Sequence, residues 1–292
     1  MELFWDLLLD AAIDTAKMLP FLLVTFWLME YLEHRPAASA QRLMNNSSLA
    51  PIAGGLLGLL PQCGFSAAAA SLYSRGAITV GTLMAVFIST SDEAVPMLLA
   101  NPASYPLLLK LLASKLVLGI GCGLLLDFIA RRLPLPQPEH GCSCHICEEE
   151  HAHGTHLSLF ASAILHTLNL AAFIFGVSLV LGGLLALIGE ENLAKLLMTG
   201  SIWQPLLAAL VGFIPNCASS VLLTQLLITG GISFGAALAG LTTSAGIGLL
   251  VLLRNARAMS KKDKKVWPRL LGFLALLYAI GAVAGILADF IL

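Results

Sequence analysis

Long apolar runs broken by short polar islands organise this chain, and the order in which they come is used twice. The first run, 7–32, predicts a membrane helix, since about 20 apolar residues span a bilayer core. Two short apolar stretches follow at 49–60 and 62–74, then longer helical stretches at 77–99 and 106–130. The same order returns at 157–189, 202–214, 216–228, 231–253 and 269–292. The short stretches, about 12 residues each, cannot cross a bilayer core alone. Joined at Pro61-Gln62-Cys63 and at Pro215-Asn216-Cys217, each pair predicts either a re-entrant hairpin with its tip deep in the membrane or two short crossings.

The repetition extends to individual residues. Gly58-Leu59-Leu60-Pro61-Gln62-Cys63-Gly64-Phe65-Ser66 returns 154 positions on as Gly212-Phe213-Ile214-Pro215-Asn216-Cys217-Ala218-Ser219-Ser220. The register holds without a gap, so that nine positions from Gly58 to Ala85 are identical to their partners. A further block, Gly119-x3-Gly123-x3-Asp127-Phe128-Ile129, reappears 162 positions on as Gly281-x3-Gly285-x3-Asp289-Phe290-Ile291. A duplicated hydrophobic unit with polar breaks at matching places is the sequence mark of a secondary transporter.

Composition supports the membrane reading: the chain is 58% hydrophobic and 11% charged, with a mean hydropathy of +0.88. Net charge is close to zero, which gives no case for nucleic acid. The first run is no signal peptide, because Glu2, Asp6 and Asp10 stand where a basic region would be needed. Each half crosses an odd number of times, whether as three helices plus a hairpin or as five, so the second copy must be inverted. Charge gives the same answer through the positive-inside rule. Arg254, Arg257, Lys261, Lys262, Lys264 and Lys265 mark 254–268 as cytoplasmic, whereas the matching segment 100–105 has no charge. Arg35, Arg42, Arg75, Arg131 and Arg132 then also fall inside, and Glu2, Asp6, Asp10, Glu190 and Glu191 outside with one Lys195. The expected fold is an all-α polytopic membrane protein of two inverted-topology repeats, each with a broken or re-entrant helical hairpin and a discontinuous helix. Repeat 1 covers 1–130, a cytoplasmic Cys/His-rich loop 131–156 and repeat 2 157–292. Both termini are expected outside an inner (plasma) membrane of bacterial type.

A proline followed by polar residues inside an apolar segment frees backbone groups that lipid cannot satisfy; such backbone survives only where protein or a cavity surrounds it. The hairpin tips would enter from opposite sides and bring Gln62 and Cys63 towards Asn216 and Cys217, with Ser66, Ser219 and Ser220 close behind. The bland alternative is that the two cysteines are small packing residues; their place at equivalent breaks of two copies argues for substrate binding. The second break is Ser89-Thr90-Ser91-Asp92-Glu93, matched by Thr242-Thr243-Ser244-Ala245-Gly246. Hydroxyl runs can back-bond within a helix without function. An acid at membrane depth costs at least ~2.5–3.5 kcal/mol and marks a functional site unless it is solvated at an interface. Asp92 and Glu93 have no counterpart in the second half, so the site should be asymmetric. Coupling candidates are Asp92 and Glu93 themselves, Asp14 and His166 at matching places in the first helix of each half, and Lys115. His166 is the easiest of these to titrate near neutral pH, though a core or helix-end histidine is the commoner case. Lys115 could neutralise an acid such as Asp92 or snorkel to the surface.

Between the halves, Cys142, Cys144, His145, Cys147, His151, His153 and His156 crowd into one short segment with Glu148, Glu149 and Glu150. Thiolate, imidazole and carboxylate are ligands of soft and borderline metals. A disulfide is disfavoured in a cytosolic loop. The spacing is no zinc-finger pattern, so an auxiliary capture or sensing segment is expected. A redox pair at Cys144 and Cys147 would lack the βαβ context of thioredoxin-like motifs.

The motifs Pro61-Gln62-Cys63-Gly64-Phe65-Ser66, Ser89-Thr90-Ser91-Asp92-Glu93-Ala94-Val95-Pro96 and Pro215-Asn216-Cys217-Ala218-Ser219-Ser220 resemble those of the ten-transmembrane heavy-metal exporter family, over nearly the whole chain. Members carry labels of arsenic efflux protein or manganese transporter. In plan the halves are also similar to the ion-transporter superfamily of citrate, dicarboxylate and arsenite carriers, a likeness at the level of fold alone. The resemblance implies export of a heavy metal or metalloid by alternating access. Cys63 and Cys217 would bind the cargo, Gln62 and Asn216 orient it, and Asp92 and Glu93 supply charge or carry a proton; Ser66, Ser89, Thr90, Ser91, Ser219, Ser220, Thr243 and Ser244 complete the candidate lining. Thiols favour trivalent arsenic or a soft divalent ion and carboxylates favour manganese; the acids and loop imidazoles incline the choice to a divalent transition metal. No resident cofactor is required, the metal being cargo and a guest of the loop. The partners expected are cargo and lipid bilayer, no nucleic acid, with room for a homodimer. The rival readings are an organic-anion or organoarsenical carrier and, more remotely, a membrane thiol oxidoreductase; no His-Glu-x-x-His protease motif is present.

Overall fold

The computed structural model of the chain describes residues 49–60, 63–74, 76–91, 94–132, 203–215, 217–259 and 266–291, with scattered positions within 13–23 and 164–197. Most of the helices expected over 7–32 and 157–189, and the Cys/His loop beyond Arg132, lie outside the described residues. Among the described residues the chain is helical, with no strand. The first half gives α1 (Leu49–Gly58), α2 (Cys63–Ser74), α3 (Val80–Ser89), α4 (Ala94–Leu99), a 3-10 turn at Pro102–Ser104 and α5 (Tyr105–Arg132). The second gives α6 (Gln204–Gly212), α7 (Cys217–Ile228), α8 (Phe234–Thr243), α9 (Gly246–Met259) and α10 (Val266–Ile291). Four stretches among these residues are long and apolar enough to cross a membrane: Val80–Leu99, Pro102–Ala130, Phe234–Arg257 and Val266–Ile291. The protein is therefore an all-α polytopic membrane protein.

Burial divides the four. The stretches holding α3–α4 and α8–α9 are 81% and 83% buried within the protein, whereas those of α5 and α10 are 22% and 33% buried. The broken helices thus form the centre. The two long helices present Leu109, Val117, Leu125, Leu271, Leu287 and Phe290 outward, an apolar surface suited to lipid rather than water.

Helix ends follow local chemistry. The expected helices at 77–99 and 231–253 begin three residues later than their apolar runs, because Thr79 and Ser233 are N-caps whose hydroxyls accept from Thr82 N at 3.1 Å and Ala236 N at 3.0 Å. The 231–253 run also extends further than expected, through Arg254 and Arg257 to Met259. Its polar end is held by partners on other elements: Arg254 Nη2 donates to Asn169 Oδ1 at 3.3 Å, and Asn255 Nδ2 to Ser74 Oγ at 3.1 Å.

The repeated Gly-x3-Gly-x3-Asp block acts as a clasp, made twice. Thr79 Oγ1 donates to Asp127 Oδ2 at 2.7 Å and Gly81 N to Asp127 Oδ1 at 2.9 Å. In the second half Ser233 Oγ donates to Asp289 Oδ2 and Gly235 N to Asp289 Oδ1, both at 2.7 Å. Each carboxylate takes up an orphan N–H at a helix N-terminus, where negative charge is favoured. It thereby ties α3 to α5 and α8 to α10. Small residues let the backbones touch above the clasp: a Cβ on Gly123 would lie 2.7 Å from Gly81 O, and one on Gly285 2.5 Å from Gly235 O. Asp127, which is buried, and Asp289, which is exposed, thus serve the architecture.

Packing between the halves is an exchange. The hairpin helix α2 packs on α9 of the second half, and α7 packs on α4 of the first. One core cluster joins Ala67 and Ala70 to Phe87, Ile247 and Val251, with Phe273 edge-on to Phe87 at 5.9 Å. The other joins Leu223 and Leu226 to Ala94, Leu98, Leu111 and Leu238. The second arm of each hairpin therefore reaches the helix beyond the other half's break, while the first arms, α1 and α6, pack on α3 and α8 of their own halves.

Candidate functional site

Four interruptions of helix converge on the centre, and each arises from its own sequence. The α1–α2 corner closes with bonds from Leu59 N to Leu56 O (3.3 Å) and Leu60 N to Leu57 O (3.2 Å), a tightened last turn before Pro61, which cannot continue it. The α6–α7 corner repeats this with Phe213 N to Leu210 O (3.2 Å) and Ile214 N to Val211 O (3.0 Å) before Pro215. Cys63 and Cys217 are the first residues of the helices that follow, α2 and α7. Ser66, Ser219 and Ser220 lie one turn in and are buried; Ser219 Oγ turns back to Ile214 O at 3.0 Å and seals the second corner.

The discontinuous helices break where the hydroxyl runs stand. In the first half Thr90 N and Thr90 Oγ1 both donate to Val86 O, at 3.0 and 2.7 Å, and the backbone leaves helix at ψ 128. Helix resumes at Ala94, with Ser91 buried in between and its Oγ on Ser89 O at 3.3 Å. In the second half Ser244 N closes on Gly240 O at 3.0 Å and Ala245 N on Thr243 O at 2.9 Å, and Gly246 takes φ 52, a left-handed conformation that a side chain would disfavour. Thr243 Oγ1 crosses to Ala209 O on α6 at 2.7 Å. Ser89, Thr90, Ser91, Thr242, Thr243 and Ser244 are all buried, and the hydroxyls of Ser89 and Thr242 have no hydrogen-bond partner among the described residues.

Corner and break meet across the halves. Gly248, in the first turn of α9, lies so close to Ser66 that a Cβ there would be 2.7 Å from Ser66 carbonyl carbon, Cβ and O. The start of α2 thus sits beside the second break. The packing of α7 on α4, in the core that holds Leu223, Leu226, Ala94 and Leu98, brings the second hairpin to the first half's broken helix. Lys115 joins the two breaks. Its side chain, carried by α5, is fully buried and does not snorkel; Nζ donates to Thr90 O at the first break and to Leu241 O near the second at 2.7 Å.

Gln62, Asp92, Glu93, Asn216, Asp14, His166 and the loop ligands Cys142, Cys144, His145, Cys147, His151, His153 and His156 fall outside the described residues, as do the side chains of Cys63 and Cys217. Among the described residues no three His, Cys, Asp or Glu side chains are grouped to hold a metal ion. The described part of the centre is hydroxyls, backbone carbonyls and one ammonium. Reasoning from sequence noted the Asp127 and Asp289 blocks without giving them a role, although a Ser or Thr two residues before a glycine at the matching helix start in both halves was a signal of capping. Nothing in the sequence pointed to Leu241, whose contribution is a carbonyl oxygen.

No curated protein and no solved structure matches the chain. A family model does match, over residues 2–188, which take in all of the first half, the loop between the halves and the first helix expected of the second. That family is one of exporters rather than of enzymes. On this match, which spans more than half of its length, the chain belongs to the membrane family described as "Putative, 10TM heavy-metal exporter".

Proposed function

We propose that this protein is a secondary transporter that exports a heavy metal or metalloid across the inner membrane by alternating access, its site lying near the midplane between two inverted repeats. The observation that carries the reading is the packing of α2 on α9 and of α7 on α4 across the halves, with the first turn of α2 against the first turn of α9 at Ser66 and Gly248. Broken helices at a repeat interface are where such carriers bind substrate. Cys63, Cys217, Gln62 and Asn216 contribute the cargo ligands, and Asp92 and Glu93 supply charge or carry a coupling proton. The cargo we favour is a divalent transition metal such as manganese, with trivalent arsenic as the thiophilic alternative. The Cys/His loop gathers cytosolic metal without forming part of the pathway.

Inside-out vesicles from expressing cells test the function. They should accumulate manganese above vector controls under an imposed pH gradient, and arsenite if the thiols dominate. Absence of uptake of both, with the protein correctly inserted, removes the metal-export reading. The topology carries its own test. In a variant retaining Cys144 as its one cysteine, an impermeant thiol reagent added to intact cells should leave it unlabelled and should react after permeabilisation. Labelling from outside would overturn the cytoplasmic loop, and with it the both-termini-outside arrangement that the positive-inside rule supports.

A further inference from the structure

A helix that stops inside the membrane leaves carbonyls at its C-terminal end without intrahelical partners, and these carry the negative end of the helix dipole. Lipid cannot satisfy them. Two such carbonyls stand here. Thr90 O caps α3 at its break, and Leu241 O lies in the last turn of α8, where Ala245 N has turned to Thr243 O instead. Convergent carbonyls of unwound helices form a site for a small monovalent cation. In this chain the ammonium of Lys115 occupies that position, donating to both. An ammonium has three donors and a charge comparable to a bare alkali ion. The arrangement is single rather than duplicated. Counted by the 162-residue offset of the Gly-x3-Gly-x3-Asp block, the position matching Lys115 holds Leu277, an apolar and fully buried residue. One cation therefore serves both breaks, and it reaches from the first half into the second.

We propose that Lys115 is a tethered cation, filling at the junction of the two broken helices a carbonyl site that would otherwise take a free monovalent ion, so that transport requires no sodium. The consequence for transport rests on the exporter reading; the cation site itself does not. Removing the side chain with Lys115→Ala leaves the carbonyls facing a space that a small cation can enter. Lys115→Met keeps the bulk of the stem and removes the charge.

The test uses the purified full-length chain and needs no cargo. Thermal melting of Lys115→Ala should shift upward on adding methylammonium or sodium chloride, relative to choline chloride, whereas wild type and Lys115→Met should show no such shift. In vesicles, manganese uptake by wild type should be unchanged when sodium is replaced by N-methylglucamine. Uptake by both variants should fall about tenfold or more, the equivalent of about 1.4 kcal/mol. Methylammonium should restore that of Lys115→Ala and not that of Lys115→Met. A requirement for sodium in the wild type overturns the proposal. So does a folded Lys115→Ala that no small cation stabilises, or normal uptake by Lys115→Met. If neither variant yields folded protein, loss of wild-type uptake without sodium still decides against it. A cation-specific shift in a protein that moves neither manganese nor arsenite would uphold the site and remove the exporter reading alone.

Discussion

Gly248→Ala should abolish most transport and lower the melting temperature of the purified protein, although it adds one methyl group. At this position α2 and α9 touch backbone to backbone: the added Cβ would lie 2.7 Å from the carbonyl carbon, Cβ and O of Ser66, a fully buried residue. Overpacking a close contact costs roughly 1–3 kcal/mol when side chains can move aside. Here the obstacle includes backbone, so the helices must part, and the expected cost is at the upper end of that range. Parting them also moves the start of α2 away from the second break, so uptake should fall by about tenfold or more even in protein that folds. Gly272→Ala on α10 is the control, since a Cβ there meets nothing within 4 Å. It should melt and transport as wild type does. Equal behaviour of the two variants would show that the α2–α9 contact does not hold the centre together.

Much of this architecture was legible because the membrane leaves few choices. An apolar run must be helix, since lipid offers its backbone no partners. Runs at 49–60, 62–74, 106–130 and 269–292 therefore became α1, α2, α5 and α10 within a few residues. The breaks were legible for the complementary reason. Pro61 and Pro215 cannot continue a helix, and the hydroxyl runs at Ser89–Ser91 and Thr242–Ser244 compete for backbone acceptors, as Thr90 Oγ1 does on Val86 O. What the pattern could not give was the pairing across the halves. Duplication says that α2 and α7 are equivalent; it does not say that each packs on the other half's broken helix as well as on its own, because the apolar faces are alike. The side chain of Lys115 was illegible for a similar reason. A lone cation in an apolar run snorkels or is buried according to whether carbonyls stand within its reach, and those of Thr90 and Leu241 come from elements 25 and 126 residues away.

A Cys63→Ser, Cys217→Ser, Asp92→Asn triple variant should lose export altogether, and the single variants should tell which cargo the centre accepts. The proposal gives the cargo two thiols at the heads of α2 and α7 and a carboxylate from the segment between α3 and α4. Thiolate suits a soft ion and carboxylate a hard one. If the cargo is thiophilic, Cys63→Ser and Cys217→Ser should each reduce uptake by more than Asp92→Asn does. If it is manganese, Asp92→Asn should be the more damaging, because it removes the charge a hard cation needs and leaves the thiols as spectators. Loss of one good ligand of about 1.4 kcal/mol or more corresponds to at least about a tenfold effect. The variants do not remove what holds the fold: the Asp127 and Asp289 clasps, the Gly248–Ser66 contact and the Lys115 bridge all remain. Melting curves of the triple variant close to wild type, with uptake lost, would place the defect in binding rather than in folding. Normal uptake by the triple variant would mean that the two cysteines and the acid do not share a site, and that the repeated Pro-x-Cys corners serve packing alone.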